Sequence, residues 1–510
     1  MGVYNTVYSS EVQFIPPGGT EKTKKYFLFG VFFDGTGNDM TNNHYNTDDV
    51  KNAHKNSRTK NDEKTLSPQV NNRNKFVALR ENNYKLDEYY NNKDNDDPND
   101  YSNIALLHHC FQGMSDEEIT QKTSEQYDVH IYNIYTEGPG TTGGMDNFVG
   151  AVFGRGSGGV LALLSQTARI IKNILASFGD ITNAEFHFDI FGFSRGATLA
   201  RMFSTTILAN DCPDILLNKE TKELRKLINR SSASVDFLGL FDTVSSIGVG
   251  TNDVHKYGLY LHKKVKGAMQ LCASDEFRKH FALTDLGESV NKKNISEFFI
   301  PGCHTDVGGT YKTKIRTLNI EYETFLPRID LQSIDVSRES LWMFIEEPNK
   351  GGGKNKINID TLEMLGWYLN GKDKISKNDN QLNISRLVLQ GYNLVPLTIL
   401  RDRAKNITKY EVFRTFPSGY SRFDIDKNLK ALTDDMIDNI KNHFSGRHFI
   451  YPQGAYNSNK YRKLRNFYLN YSADAFDPVN APSFTADKTM CRMIVNGDDN
   501  SVDYSFMCDY

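Results

Sequence analysis

Cysteine is scarce and unpatterned in this chain of 510 residues. The six (Cys110, Cys212, Cys272, Cys303, Cys491 and Cys508) lie far apart, without a Cys-x-x-Cys pair or a zinc-ligand spacing. That excludes a disulfide framework or a structural zinc site and points to reduced, buried thiols in a protein made in the cytosol. A basic excess is also missing: the formal net charge is −3, which argues against a general nucleic-acid binder. No apolar run reaches the length of a membrane span. The first residues, Met1 to Tyr8, carry neither a basic stretch nor an apolar core, so the sequence predicts no Sec signal. Gly2 followed by Thr6 fits a myristoylation pattern only in form. Internal repeats are lacking too. Hydrophobic content is low at 39%, and the deficit sits in Asn/Lys/Asp-rich segments rather than being spread evenly. A chain of this length can build one large α/β domain with insertions, or two to three domains.

What is present is a strand, a sharp turn and a helix around one serine. Phe186 to Phe191 is an apolar run that reads as a buried strand, and Ala197 to Phe203 reads as the start of a helix. Between them lies Gly192-Phe193-Ser194-Arg195-Gly196, a Gly-x-Ser-x-Gly in the setting that a nucleophile elbow requires. Such a turn strains the serine backbone, and Gly192 and Gly196 remove the Cβ atoms that would collide. The hydroxyl is then held above the carboxyl edge of the sheet, with a helix N-terminus behind it.

Other segments supply the rest of an α/β sheet. Lys25 to Phe33 reads as a buried strand ending in the loop Asp34-Gly35-Thr36-Gly37-Asn38. Residues from about 39 to 100 turn polar and read as a surface insertion. Ser102 to Phe111 reads as a helix, and Asp128 to Tyr135 as a strand that runs into a second glycine-rich loop, Glu137 to Gly144. A helix from about Val160 to Phe178 places Ile170, Ile171, Ile174 and Leu175 on its apolar side. Ser234 to Phe241 is a strand ending at Asp242, and Glu297 to Cys303 one ending at His304. Strands alternating with helices predict an α/β-hydrolase-like, doubly wound, mostly parallel sheet. Beyond Tyr311 the pattern weakens: Gly351 to Lys354 reads as a loop, Glu363 to Leu369 as a short helix, and Tyr451 to Tyr471 is rich in Tyr, Arg, Lys and Asn. The expected organisation is an extension at 1–24, a catalytic core at 25–311 and a cap or accessory module at 312–510.

A serine hydroxyl needs a base to take its proton, and that base needs an orienting acid. In an α/β hydrolase they follow in the order Ser, Asp/Glu, His, on loops at strand carboxyl ends. Asp236 lies near the start of its strand, at the wrong edge; Asp242 ends the same strand. Of the six histidines after Ser194, only His304 follows an apolar strand and precedes a glycine pair. Ser194, Asp242 and His304 are therefore the expected triad, with no metal or cofactor. Asp306 is a rival acid, or positions the His304 loop; Asp34 shapes the first loop. The Arg195 backbone N–H is the first oxyanion donor, and Gly35 or Thr36 the second. The Arg195 side chain could reach a phosphate, although a salt bridge packing the helix is the plainer use. Gly154 to Gly159 matches Gly-x-Gly-x-x-Gly with Asp180 beyond it, but no clear strand precedes it and Asp180 does not end one.

Phe33 to Asn38, Gly192 to Ala197, Phe241 to Val244 and Pro301 to Gly309 together resemble the Tle1-type lipase effectors, which carry the α/β-hydrolase domain called DUF2235. The resemblance covers roughly Tyr26 to Tyr311. It implies a phospholipase delivered by a type VI secretion system to a rival's periplasm, acting on phospholipids at a membrane surface. It also implies a cognate immunity protein in the producer and, by residue match, the same roles for Ser194, Asp242 and His304. The alternatives are a soluble carboxylesterase of small substrates and a binding protein that keeps the fold without catalysis.

Overall fold

The computed structural model describes residues 3–6, 24–38, 99–111, 128–140, 159–228, 232–246, 254–311, 314–316, 319–330, 363, 366–367, 374–377, 381–389, 391–408, 412–413, 425, 427–450, 458–470, 472, 483 and 492–503. Most of the polar insertion, Gly154 to Gly158 of the glycine motif, the Gly351 loop and most of the short helix expected at Glu363 lie outside them.

Strands β1 (Val3–Thr6) and β2 (Lys25–Phe33) come first, followed by β3 (Asn99–Ser102), helix α1 (Asn103–Cys110) and β4 (Asp128–Thr136). Next are α2 (Val160–Ala176), β5 (Glu185–Phe193), α3 (Arg195–Leu208), α4 (Lys219–Leu227) and β6 (Ala233–Phe241). Then β7 (Ala268–Ala273), β8 (Leu283–Thr284), β9 (Ile295–Ile300) and the short α5 (His304–Gly308) lead to β10 (Gly309–Tyr311). An antiparallel sheet follows, of β11 (Lys314–Arg316), β12 (Asn319–Asp330), β13 (Lys374–Lys377) and β14 (Gln381–Leu389). The described chain ends with α6 (Leu394–Thr408), α7 (Lys427–Asn442), β15 (Gly446–Phe449), α8 (Asn459–Phe467), β16 (Ile494–Val495) and β17 (Val502–Asp503).

The central sheet has eight strands in the order β1-β4-β2-β5-β6-β7-β9-β15. All neighbours are parallel except β1, which pairs antiparallel with β4 at one edge. A parallel sheet needs both faces covered, and the period-two alternation of β2 shows how. Tyr26, Leu28 and Phe32 enter a core with α1, α6 and α7, whereas Phe27, Phe29, Val31 and Phe33 enter a second core with α2 and α3. The register of β6 on β5 slips by one residue at Asp236. Such a slip exchanges the faces that side chains point to. Val235 before it and Leu238 and Leu240 after it thus all reach the second core.

In α2 the buried stripe runs through Leu163, Leu164, Ala168, Ile171 and Leu175, a spacing of about one turn. Ile170 and Ile174 flank that stripe half-buried, so the apolar side is rotated from the one expected. The parallel sheet flanked by helices is an α/β-hydrolase-like arrangement. Three of its strands, β7 and the edge strands β1 and β15, are additions to the expected set; β1 falls in the segment expected as an N-terminal extension. A small sheet ordered β17-β16-β8 brings residues near 492 close to the carboxyl end of β6.

Candidate active site

Ser194 sits between β5 and α3 with φ 58° and ψ −126°. Among the described non-glycine residues only Ser194, Asp242, Asn294 and Asn500 have positive φ. Asparagine and aspartate tolerate that region; serine there signals strain, typically about 1–3 kcal/mol. Both flanking glycines are required by contact. A Cβ on Gly192 would lie 2.5 Å from the Ala197 Cα, and one on Gly196 would lie 2.3 Å from the carbonyl oxygens of Phe33 and Asp34. The elbow is therefore pressed against the end of β2. It is also laced to β6, because the Ser194 N–H donates to the Phe241 carbonyl and the Val244 N–H to the Ser194 carbonyl.

Asp242 directly follows β6 and is fully buried, and its Oδ2 lies 2.5 Å from His304 Nδ1. The Ala273 N–H donates to Oδ1 at 2.8 Å. Arg492, also fully buried, closes the group: Nη1 donates to Oδ1 at 2.6 Å and Nη2 to Oδ2 at 2.8 Å. Burial would raise the carboxyl pKa, but the Arg492 charge and the hydrogen bond to His304 together hold it well below the ordinary range. Arg492 was not singled out from the sequence. The only local signal is a charge in the otherwise apolar stretch Cys491 to Val495.

His304 opens α5 rather than a loop, and its ring lies between Phe193 at 4.6 Å and Phe281 at 4.9 Å. The imidazole is thereby packed against the residue before Ser194. Burial pulls its pKa below the ordinary value against the raising effect of Asp242. With Nδ1 directed to Asp242, Nε2 is the nitrogen left for a serine proton. The backbone N–H of His304 donates to Glu276 Oε2 at 3.2 Å, and Glu276 pairs with Arg278 at 2.9 Å.

The secondary candidates separate by their partners. Asp306 receives the Cys303 N–H at 3.0 Å and, from Asn470, the backbone N–H at 2.9 Å and Nδ2 at 2.6 Å. It fixes the turn that carries His304 and makes no hydrogen bond to the imidazole. Burial lifts its pKa to about 6 in spite of these donors. Asp34 accepts from Ser102 Oγ, Tyr135 Oη and the Gly35 N–H, so it shapes the first loop. That contact occupies the Gly35 amide, whereas the Thr36 amide has no hydrogen bond among the described residues. The Arg195 amide is at the first position of α3, where helix geometry offers no partner. Arg195 Nε donates to Thr36 Oγ1 at 2.5 Å, which joins the two segments. The expected salt bridge from Arg195 is not formed among the described residues. Asp236 is held by His187 at 2.8 Å and Lys266 at 2.7 Å, in the first half of β6. Asp180 caps an exposed turn through Thr182.

A strained serine, a histidine packed on the residue before it and a buried aspartate on that histidine are the kinds of group that acyl-transfer chemistry uses. Residues 208–333 match the catalytic-domain model of the Tle1-like phospholipase effectors of the type VI secretion system (T6SS). The matched segment contains Asp242 and His304 and begins after Ser194. This Tle1-like match supports enzymatic activity of the lipid-hydrolase or esterase type. Among solved structures, the Tle1 effector bound to the VgrG spike from the Type 6 secretion system is 18% identical, with a TM-score of 0.49. That similarity spans 93% of this chain and 90% of that one. An uncharacterized protein from Pseudomonas aeruginosa is 14% identical with a TM-score of 0.40, over 82% of this chain and 51% of that one. No curated protein matches this chain. No helix among the described residues is long and apolar enough to cross a membrane.

Proposed function

We propose that the protein is a serine lipid-ester hydrolase of the phospholipase A type. Ser194 is the nucleophile, His304 the general base and Asp242 the orienting acid. The observation that carries this reading is the 2.5 Å Asp242–His304 contact, with the imidazole packed on the residue that precedes a serine of positive φ. His304 Nε2 takes the Ser194 proton as Oγ bonds to the acyl carbonyl carbon. The N–H groups of Arg195 and Thr36 stabilise the oxyanion. Collapse breaks the ester bond, and the imidazolium gives its proton to the departing lipid alcohol. Water, deprotonated in turn by His304, then releases the fatty acid from Ser194.

In this reading the substrate is a phospholipid met at a membrane surface after delivery by a type VI system, with an immunity protein protecting the producer; the Tle1-like match supports that setting. Residues 312–510 act as the accessory module: α6 and α7 pack on one face of the sheet, β15 extends it, and Asn470 and Arg492 reach Asp306 and Asp242. The test is lipid product analysis of phospholipid vesicles treated with purified wild type and Ser194→Ala, with short-chain soluble esters in parallel. The variant is expected to fold and to lose about 10⁴-fold or more in rate. Equal phospholipid hydrolysis by both proteins would sink the proposal, and cleavage of soluble esters alone would favour a carboxylesterase.

A further inference from the structure

Three arginines surround the candidate site, and two of them are neutralised. Arg492 is paired with Asp242, and Arg278 with Glu276. Arg195 differs. It is half-buried, and among the described residues its single side-chain hydrogen bond goes to a hydroxyl, Thr36 Oγ1, and no carboxylate pairs with it. Burial with nothing to offset it lowers the guanidinium pKa to about 10. A cation drawn out of water without a counter-charge costs stability. A neutral donor such as glutamine could tether Thr36 without that cost, so the tether does not account for the charge.

The geometry favours an external anion. Nε is engaged by Thr36, which leaves the two Nη groups of a planar fork, the arrangement that meets phosphate or carboxylate oxygens in pairs. Arg195 follows the nucleophile directly and bridges to the loop after β2, whose residues Thr36 to Asn38 are themselves half-buried. In a glycerophospholipid the acyl ester and the phosphodiester are a few bonds apart, so one group held by Ser194 brings the other near its neighbour. We propose that the Arg195 guanidinium binds the phosphate oxygens of the substrate and so selects phosphate-bearing esters over neutral ones. This rests on the hydrolase reading of Ser194 given above.

The test compares kcat/KM on a phosphatidylcholine and on the diacylglycerol with the same chains, both diluted in neutral detergent micelles. It uses the full chain as wild type, Arg195→Gln and Arg195→Lys. A charge-assisted contact of about 1.5–3 kcal/mol corresponds to roughly ten- to a hundredfold. The phospholipid-to-diacylglycerol ratio is therefore expected to fall by about that factor in Arg195→Gln, chiefly through KM, and to be largely restored in Arg195→Lys. Equal losses on both substrates, leaving the ratio unchanged, would mean that Arg195 only holds the Thr36 loop and would overturn the proposal. A binding arm separates this from failure of the hydrolase reading. A non-cleavable diether phosphocholine is titrated into Ser194→Ala with and without Arg195→Gln, and inorganic phosphate is added as a competitor. Weaker binding of the diether lipid in the double variant supports the assignment even if no ester is cleaved, and undiminished binding refutes it. Displacement by phosphate alone at equal concentration would show a free-anion site and overturn the lipid assignment.

Discussion

Replacing Arg492 by methionine tests whether the acid of the candidate triad depends on a residue 250 positions away. All five guanidinium N–H groups are used: one each to Asp242 Oδ1 and Oδ2, one to Ala273 O, and Nε and Nη2 to Phe281 O. Methionine keeps much of the volume and removes every donor. The Asp242 carboxylate would keep only the Ala273 N–H and His304, inside a fully buried setting. Removing one partner of a buried pair typically costs about 3–5 kcal/mol, a large share of a net stability of about 5–15 kcal/mol. The expected result is a loss of that size in urea unfolding at neutral pH. Because the folded Asp242 pKa lies below its ordinary 3.8, the pair's contribution is complete above that value and fades as pH falls through the folded one. The gap between wild type and variant should therefore narrow under acid. Without the cation, Asp242 also attracts a proton on His304 more strongly, so the imidazole should titrate at higher pH by NMR. Arg492→Lys, which keeps the charge and loses the fork, should fall between the two and serves if the methionine variant does not fold. A variant within about 1 kcal/mol of wild type, with His304 titrating unchanged, would refute the reasoning.

Gly196→Ala places a methyl group 2.3 Å from two backbone carbonyls that cannot swing aside. A cost of about 3 kcal/mol or more is expected, read as a lowered Tm; an unchanged Tm would show that the elbow is looser than its contacts require. Asp306 gives a pH signature of the opposite sign to Asp242. Burial raises its pKa to about 6 from 3.8, so between those values the folded state holds a proton that the unfolded state has lost. Stability from this group is full at low pH and declines as pH rises through 6, by up to about 3 kcal/mol. Unfolding of Asp306→Asn against wild type at pH 5 and pH 8 should show the variant gaining relative stability at the higher pH, and a constant difference would contradict this.

The candidate triad was legible because each member follows an apolar strand, and strand ends are where a parallel sheet gathers its loops. Phe186 to Phe193 and Ser234 to Phe241 announce burial on both faces, so the residues after them are placed almost by counting. The polar members of the sheet left no such trace. β7 is a run of only six residues with Gln270 inside it, and Gln270 makes sense only once its partners Thr243, Thr284 and Glu297 are known. β15 is a half-exposed edge strand, and its Arg447 is explained by ion pairs to Asp285 and Glu297. Local pattern cannot report such pairs, because burial of a charge is decided by a distant partner.

The same logic governs the site itself. A sequence motif marks the group that reacts, whereas the groups that set its charge come from wherever the fold closes around it. Here the candidate residues lie between 194 and 304, and the cation that balances Asp242 arrives on the β16 segment near the end of the described chain. That segment pairs Ile494 and Val495 with Leu283 and Thr284, and Gly497, Asp498 and Asn500 add hydrogen bonds to Asp285, Glu288 and Val254. The Arg492–Asp242 contact adds to that docking as well as tuning the acid. Stability and the protonation of His304 are thus expected to respond together to any change at Arg492, which is the coupling that separates a compensating charge from a passive fill.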